Sequence, residues 1–174
     1  MKPNICILVS TIVVSVVVSA GSSAIAGDPG TISPATEQEL RSTYKRLIDA
    51  ENAHDIAAVR KFVWKSPSAL FVAKTKTAAE GNWAGFWGTD EVVAHINELY
   101  QGTFVMTPDY SREKVVQLGM GVAQTYVPLE ISVGYAGQSG TPKPFLMIVE
   151  WVKDHGEWKM ATDIALPIPP APPQ

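Results

Sequence analysis

The sequence predicts an α+β domain in which three helices come first and cover a curved antiparallel or mixed sheet. Three observations carry this. Apolar residues recur at helical spacing as far as Tyr100, and from Thr103 onward the period drops to two. Phe145 to Leu166 reads as one long β-hairpin closed at His155-Gly156, because Gly takes φ > 0 freely and His tolerates it better than most residues. The chain is also long enough, at 174 residues, for one domain with a sizeable core.

The first 26 residues stand apart from that domain. Lys2 precedes an apolar run from Ile5 to Val18, interrupted only by Ser10, Thr11 and Ser15, and Ala24-Ile25-Ala26 supplies a small-x-small cleavage site. This is the pattern of a signal peptide cut near Ala26, with export to the periplasm or beyond and no stable membrane anchor afterwards. A retained anchor is the alternative, which the shortness of the uninterrupted apolar run opposes. Cys6, the only cysteine, leaves with the peptide, so the exported chain has neither a disulfide nor a thiol nucleophile and relies on its core. Net charge is −3 with no basic run, which argues against nucleic acid as a partner.

Residues 27–35 form a polar leader bearing Gly, Pro and Ser. Thr36-Glu37-Gln38-Glu39 matches a capping box, and Leu40, Tyr44, Leu47 and Ile48 make the apolar stripe of a first helix; the stripe stops at Glu51 and the helix ends around Asn52 to His54. Asp55 caps a short second helix with Ile56, Val59 and Phe62 inward. Ser66-Pro67 ends it, and Ala69 to Ala73 is a buried strand. Gly81 to Gly88 (GNWAGFWG) reads as a glycine-spaced aromatic loop. Thr89 caps a third helix whose inner face is Val92, Val93, Ile96, Leu99 and Tyr100, stopped by Gly102.

In the second half, Phe104–Met106 and Val115–Leu118 are short strands, and Gly119-Met120-Gly121 turns the chain. Thr125 to Tyr135 is a long strand in which Pro128 implies an edge position or a bulge. The domain spans residues 36–166. In the tail, 167–174, five of eight residues are proline, a composition that favours an extended, solvated chain.

Candidate chemistry is sparse. With the hairpin closed at His155-Gly156 and no irregularity, Glu150 lies opposite Ala161 and Asp163 opposite Ile148. The two acids then share one face, diagonal neighbours about 7–8 Å apart, able to divide into acid and base if burial raises one pKa. Against this, Lys159 is placed to pair with Glu150 across a wet face. His54 and His155 fall in turns, and His95 lies beside the third helix's apolar stripe. No HxH, HExxH or GxSxG occurs, so neither a metal nor a cofactor is expected. Trp64, Trp83, Trp87 and Tyr100 gather around the third helix with Tyr44 and Tyr126 able to face them, as core filling or as the lining of an apolar pocket.

The first-helix ending LIDAENAHD followed by AAVRKF, the FWGTDEVVAHI opening of the third helix and the closing HGEWKM turn resemble the nuclear transport factor 2-like superfamily. That group includes ketosteroid isomerase, scytalone dehydratase, limonene epoxide hydrolase and the SnoaL-like cyclases. The resemblance covers Glu37 to Leu166 and implies a cone whose open end admits ligands, His95 within reach of its mouth, Trp83 and Trp87 near its entrance, and a homodimer through the outer sheet face. The family's catalytic residues largely do not carry over: the strand that bears the isomerase base is Ala69-Leu70-Phe71-Val72-Ala73 here, and the cyclases' partner histidine has no match to go with Asp163. The reading that follows is a pocket protein for a small apolar or aromatic molecule, contacted by Tyr44, Trp64, Trp83, Trp87, His95, Tyr100 and Tyr126. Alternatives are an isomerase, cyclase or dehydratase using Asp163 and Glu150, and a dimeric interaction module whose cone is filled by its own tryptophans.

Overall fold

The computed structural model describes residues 31–76 and 83–169. The predicted signal peptide, residues 27–30 of the leader and residues 170–174 of the proline-rich tail lie outside the described residues. Helix α1 runs Pro34–Asn52, α2 Ile56–Phe62 and α3 Thr89–Leu99. The strands are β1 Leu70–Lys74, β2 Trp83–Trp87, β3 Phe104–Pro108, β4 Lys114–Gly119, β5 Val122–Val133, β6 Lys143–Asp154 and β7 Glu157–Pro167. They form one mixed sheet in the order β2-β1-β7-β6-β5-β3, with β4 pairing β5 beside β3. Every pairing is antiparallel except β1 with β7. The fold class predicted from sequence is the one observed.

The helices begin a little differently from the prediction. Helix α1 starts at Pro34, with Ser33 as N-cap accepting from the Thr36 amide at 3.1 Å, because proline at the first helical position is pre-set in φ and gives up an amide that would be unpaired there. Glu39 is therefore not part of a capping box. It accepts from Lys153 Nζ at 3.0 Å and Trp158 Nε1 at 3.1 Å, fastening α1 to the end of the last hairpin. Gly88, at φ +84°, caps α3, while the Thr89 hydroxyl donates to the Trp64 carbonyl (2.9 Å) and accepts from the Ser66 amide (3.0 Å). Asp55 caps α2 as expected, accepting from the Ala58 amide.

GNWAGFWG holds a strand, not a loop. Trp83–Trp87 pairs with β1, placing Gly85 across from Val72. A Cβ at Gly85 would stand 3.0 Å from Leu70 Cδ1 and 3.1 Å from Trp87 Nε1, so the glycine marks crowding rather than flexibility. Pro128 is neither on an edge nor at a bulge. On that side of β5, β4 stops at the Lys114–Tyr126 pair and β3 begins at Pro108–Leu129, so the missing amide falls in the gap between two neighbours, and the Pro128 carbonyl accepts from the Asp109 amide at 2.8 Å.

The core lies between the concave sheet face and the helices. Leu40, Tyr44, Leu47 and Ile48 from α1 meet Val127, Val149, Trp151 and Met160 from the sheet, all nearly inaccessible. Trp151, wholly buried, donates from Nε1 to Thr125 Oγ1 at 3.0 Å, giving its one polar atom a partner inside the core. Asn52 clips the free edge of β3: its amide donates to the Met106 carbonyl (2.8 Å) and its carbonyl accepts from the Met106 amide (2.7 Å). Among the described residues no helix is long and apolar enough to cross a membrane.

Candidate functional site

The hairpin register determines which acids face the core. It closes at His155-Gly156, with φ of +48° and +85°, and pairs Lys153 with Trp158 and Trp151 with Met160 as predicted. It then slips by one residue. Glu150 pairs with Thr162, Val149 with Asp163 and Ile148 with Ile164, so Ala161 is an extra residue in β7. The predicted sharing of one face by Glu150 and Asp163 is overturned. Asp163 joins Met147, Val149 and Ala165 on the concave face at 3 % exposure, while Glu150 stays half-buried on the convex face opposite Gln124.

The bulge has a local cause. At Met160, β7 meets the connection after α2, with the Trp64 amide donating to the Met160 carbonyl at 2.9 Å. At Thr162 it has changed neighbour and pairs in parallel with Leu70 of β1. The extra residue adds the local bend and twist that this exchange of partners requires. Lys159 does not reach Glu150; it donates to the Lys61 carbonyl (2.9 Å) and to Glu157 Oε2 (2.5 Å).

Asp163 meets a different acid. Glu51, in the last turn of α1, is buried at 4 % exposure, and both carboxyls line a narrow cavity under the helices. Its walls are otherwise largely apolar: Phe71, Ile96, Phe104, Ile131, Phe145 and Met147 are prominent, with Lys74, Trp83 and Gln138 among the remaining lining residues. Burial pushes the Asp163 carboxyl up to about 7. Burial, and then the charge on Asp163, raises Glu51 well above the usual carboxylate range. Two acids so placed do not both ionise near neutrality, and the pair holds a proton. Among the described residues Asp163 Oδ1 has no hydrogen-bond partner.

The cavity is tight. It encloses about 40 Å³, against roughly 300 Å³ or more in ordinary small-molecule pockets. Two phenols stand close to the acids. The hydroxyls of Tyr44 and Tyr100 are buried without hydrogen-bond partners among the described residues. Burial raises both, Tyr44 further through Asp163 and then Glu51, and Tyr100 further through Glu51.

The other predicted site residues disperse. Trp83 lines the cavity, its ring tilted against Phe145 with centroids 6.4 Å apart. Tyr100 stacks on His54 at 4.6 Å. His95 is buried behind the cavity wall, stacked on Phe86 at 3.6 Å, with Nε2 at 3.0 Å from the Lys74 carbonyl and desolvation lowering its pKa. Trp64 is half-buried in the α2–β1 connection. Trp87 is 57 % exposed on the surface, and Tyr126, with Lys114 Nζ 5.9 Å from its ring centroid, is 37 % exposed on the convex face. Glu51 was missed, although it sits on the stripe of Leu40, Tyr44, Leu47 and Ile48. A carboxylate continuing an apolar stripe was the available signal.

This geometry is an α+β cone of the nuclear transport factor 2-like, cystatin-like fold, and the comparisons with solved structures agree. A nuclear transport factor 2-like protein of unknown function from Pseudomonas putida KT2440 superposes with a TM-score of 0.61 at 16 % identity, over 78 % of this chain and 89 % of that one. A provisionally assigned dehydratase of the same fold from Streptomyces avermitilis gives 0.63 at 14 % identity, over 79 % and 100 %. An uncharacterised cystatin-like protein from Caulobacter vibrioides gives 0.64 at 12 %, over 77 % and 90 %. No family model matches the chain, and no curated protein matches its sequence.

Proposed function

We propose that the chain is a pocket protein that takes a small, mostly apolar molecule into the cone, with Glu51 and Asp163 as its polar contact. One observation carries this: two acids are buried where the fold gains nothing from them, at the wall of an otherwise apolar cavity. A buried polar atom without a partner costs about 1–3 kcal/mol, and perturbed acids in a cavity are characteristic of functional sites. A ligand hydroxyl or carbonyl would supply the partner that Asp163 Oδ1 lacks. A thermal-shift screen of paired apolar compounds, with and without one hydroxyl, tests the reading. Larger shifts for the hydroxyl member, abolished by Asp163→Asn, are expected; no shift with any compound removes it.

Acid–base catalysis is the second reading, favoured by the position of Asp163 near neutrality. A carboxyl that is part protonated at working pH can both give and accept a proton, with Glu51 in the role that the sequence assigned to Glu150. The assignment of the Streptomyces protein as a dehydratase points the same way.

Two further elements belong to the proposal. The convex face carries half-exposed Leu70, Val72, Ile148 and Ile164, which suits a second copy of this chain, and sedimentation velocity tests the dimer. Export follows from residues 1–26, and the mass of the mature protein tests cleavage near Ala26.

A further inference from the structure

Among the described residues the buried acids are Glu51, Glu113 and Asp163, and the fold treats them differently. Glu113 meets the Arg41 guanidinium at 2.8 Å, so its charge is compensated where it stands. Glu51 and Asp163 have no ion-pair partner among the described residues, and the charge that raises Glu51 is that of Asp163. Lys74 borders the same cavity, but it alternates with Phe71 and Ala73 and falls on the side of Leu70 and Val72, away from Asp163. An acid buried for structure alone is ordinarily paired, because an uncompensated buried charge is strongly destabilising. At the cavity the counter-charge is left to an occupant.

Resting on the pocket reading, we propose that the ligand is a short alkylamine, its ammonium shared by Glu51 and Asp163 and its hydrocarbon against Phe71, Phe145 and Met147. A hydroxyl satisfies the lone Asp163 oxygen but leaves the pair's negative charge as it was. An ammonium brings both N–H donors and the opposite charge, and acts where exclusion of water strengthens the attraction. The rings of Phe71, Phe104 and Phe145 in the wall favour a cation over a neutral group as well. An enclosed space of about 40 Å³ has room for few heavy atoms, so the amine is short. Binding is linked to pH. Below about 7 Asp163 is largely protonated, and the ammonium must displace that proton to solvent. Tyr44 and Tyr100 stay neutral, since burial raises both, and His95, behind Phe71, is engaged with the Lys74 carbonyl.

Chemical-shift titration of the full chain with isobutylamine and isobutanol, which match in shape and differ in charge, tests the proposal. Near pH 7.5 the amine should bind at least about tenfold more tightly than the alcohol. Its Kd should fall by about tenfold per pH unit from pH 5 towards 6.5, as the acid gives up its proton more readily, whereas the Kd of the alcohol should not fall. Asp163→Asn and Glu51→Gln should each weaken amine binding by about tenfold or more. The alcohol binding as tightly as the amine, or an amine Kd independent of pH, overturns the ammonium while the pocket stands. Neither compound binding also overturns it, and the pocket reading then falls only if the paired hydroxyl screen fails too. The pH profile needs no variant, so it decides the matter even if D163N or E51Q misfolds.

Discussion

Glu51, at the end of the first helix, and Asp163, on the last strand, look into the same cavity, and the charge on one raises the pKa of the other. Their burial sets a pH dependence. In the unfolded chain an aspartate gives up its proton near pH 4, whereas folded Asp163 holds its proton until about 7. Across that window the unfolded state binds fewer protons, so the contribution of Asp163 to stability falls as pH rises from about 4 to about 7. Glu51 acts in the same direction. Asp163→Asn should flatten the decline and raise the melting temperature at pH 8 by at least about 3 °C. An unchanged or steeper profile in thermal melts would show that Asp163 is not held neutral.

Glu150→Gln is the matched control for the register. On the convex face the substitution should change stability by no more than about 0.5 kcal/mol. An effect comparable to that of Asp163→Asn would mean that Glu150, too, faces the core.

The Asn52 clip predicts a cost on β3. Asn52→Ala leaves the Met106 amide and carbonyl without their side-chain partners and should destabilise by about 2 kcal/mol in urea unfolding, with an unchanged m-value. It also frees a strand edge, so a rise in concentration-dependent light scattering is expected.

Thr125→Val tests the buried tryptophan's hydrogen bond. The shape is kept but Trp151 Nε1–H loses its acceptor, for a loss of about 1–3 kcal/mol. Combined with Trp151→Phe, which removes the donor, the two costs should fall short of additive by about 1 kcal/mol or more.

Much of the architecture was legible because it rests on local patterning. The stripe of α1, the Asp55 cap, the alternation of β5 and the His155-Gly156 turn each depend on neighbours in sequence, and each stands where the spacing put it. The site was not legible, because it depends on pairings between distant segments. Nothing near Ala161 announces an extra residue: the bulge arises where β7 passes from the α2–β1 connection to β1. Glu51 was passed over because a carboxylate ordinarily ends an apolar stripe. Trp83–Trp87 looked like a loop because glycine in a strand is uncommon, and only its pairing with β1 explains Gly85.

The inserted residue at Ala161 makes the chemistry of the cone a matter of parity. Side chains on a strand point alternately to its two faces, so an insertion or deletion of one residue between Met160 and Asp163 decides whether a carboxyl or an isoleucine is presented to the interior, with no substitution at either position. Two sequences differing only there could share a backbone outline, one with an acidic hollow and the other with a wholly greasy one. Comparing such proteins by residue identity alone would overlook the change, whereas counting strand length would catch it.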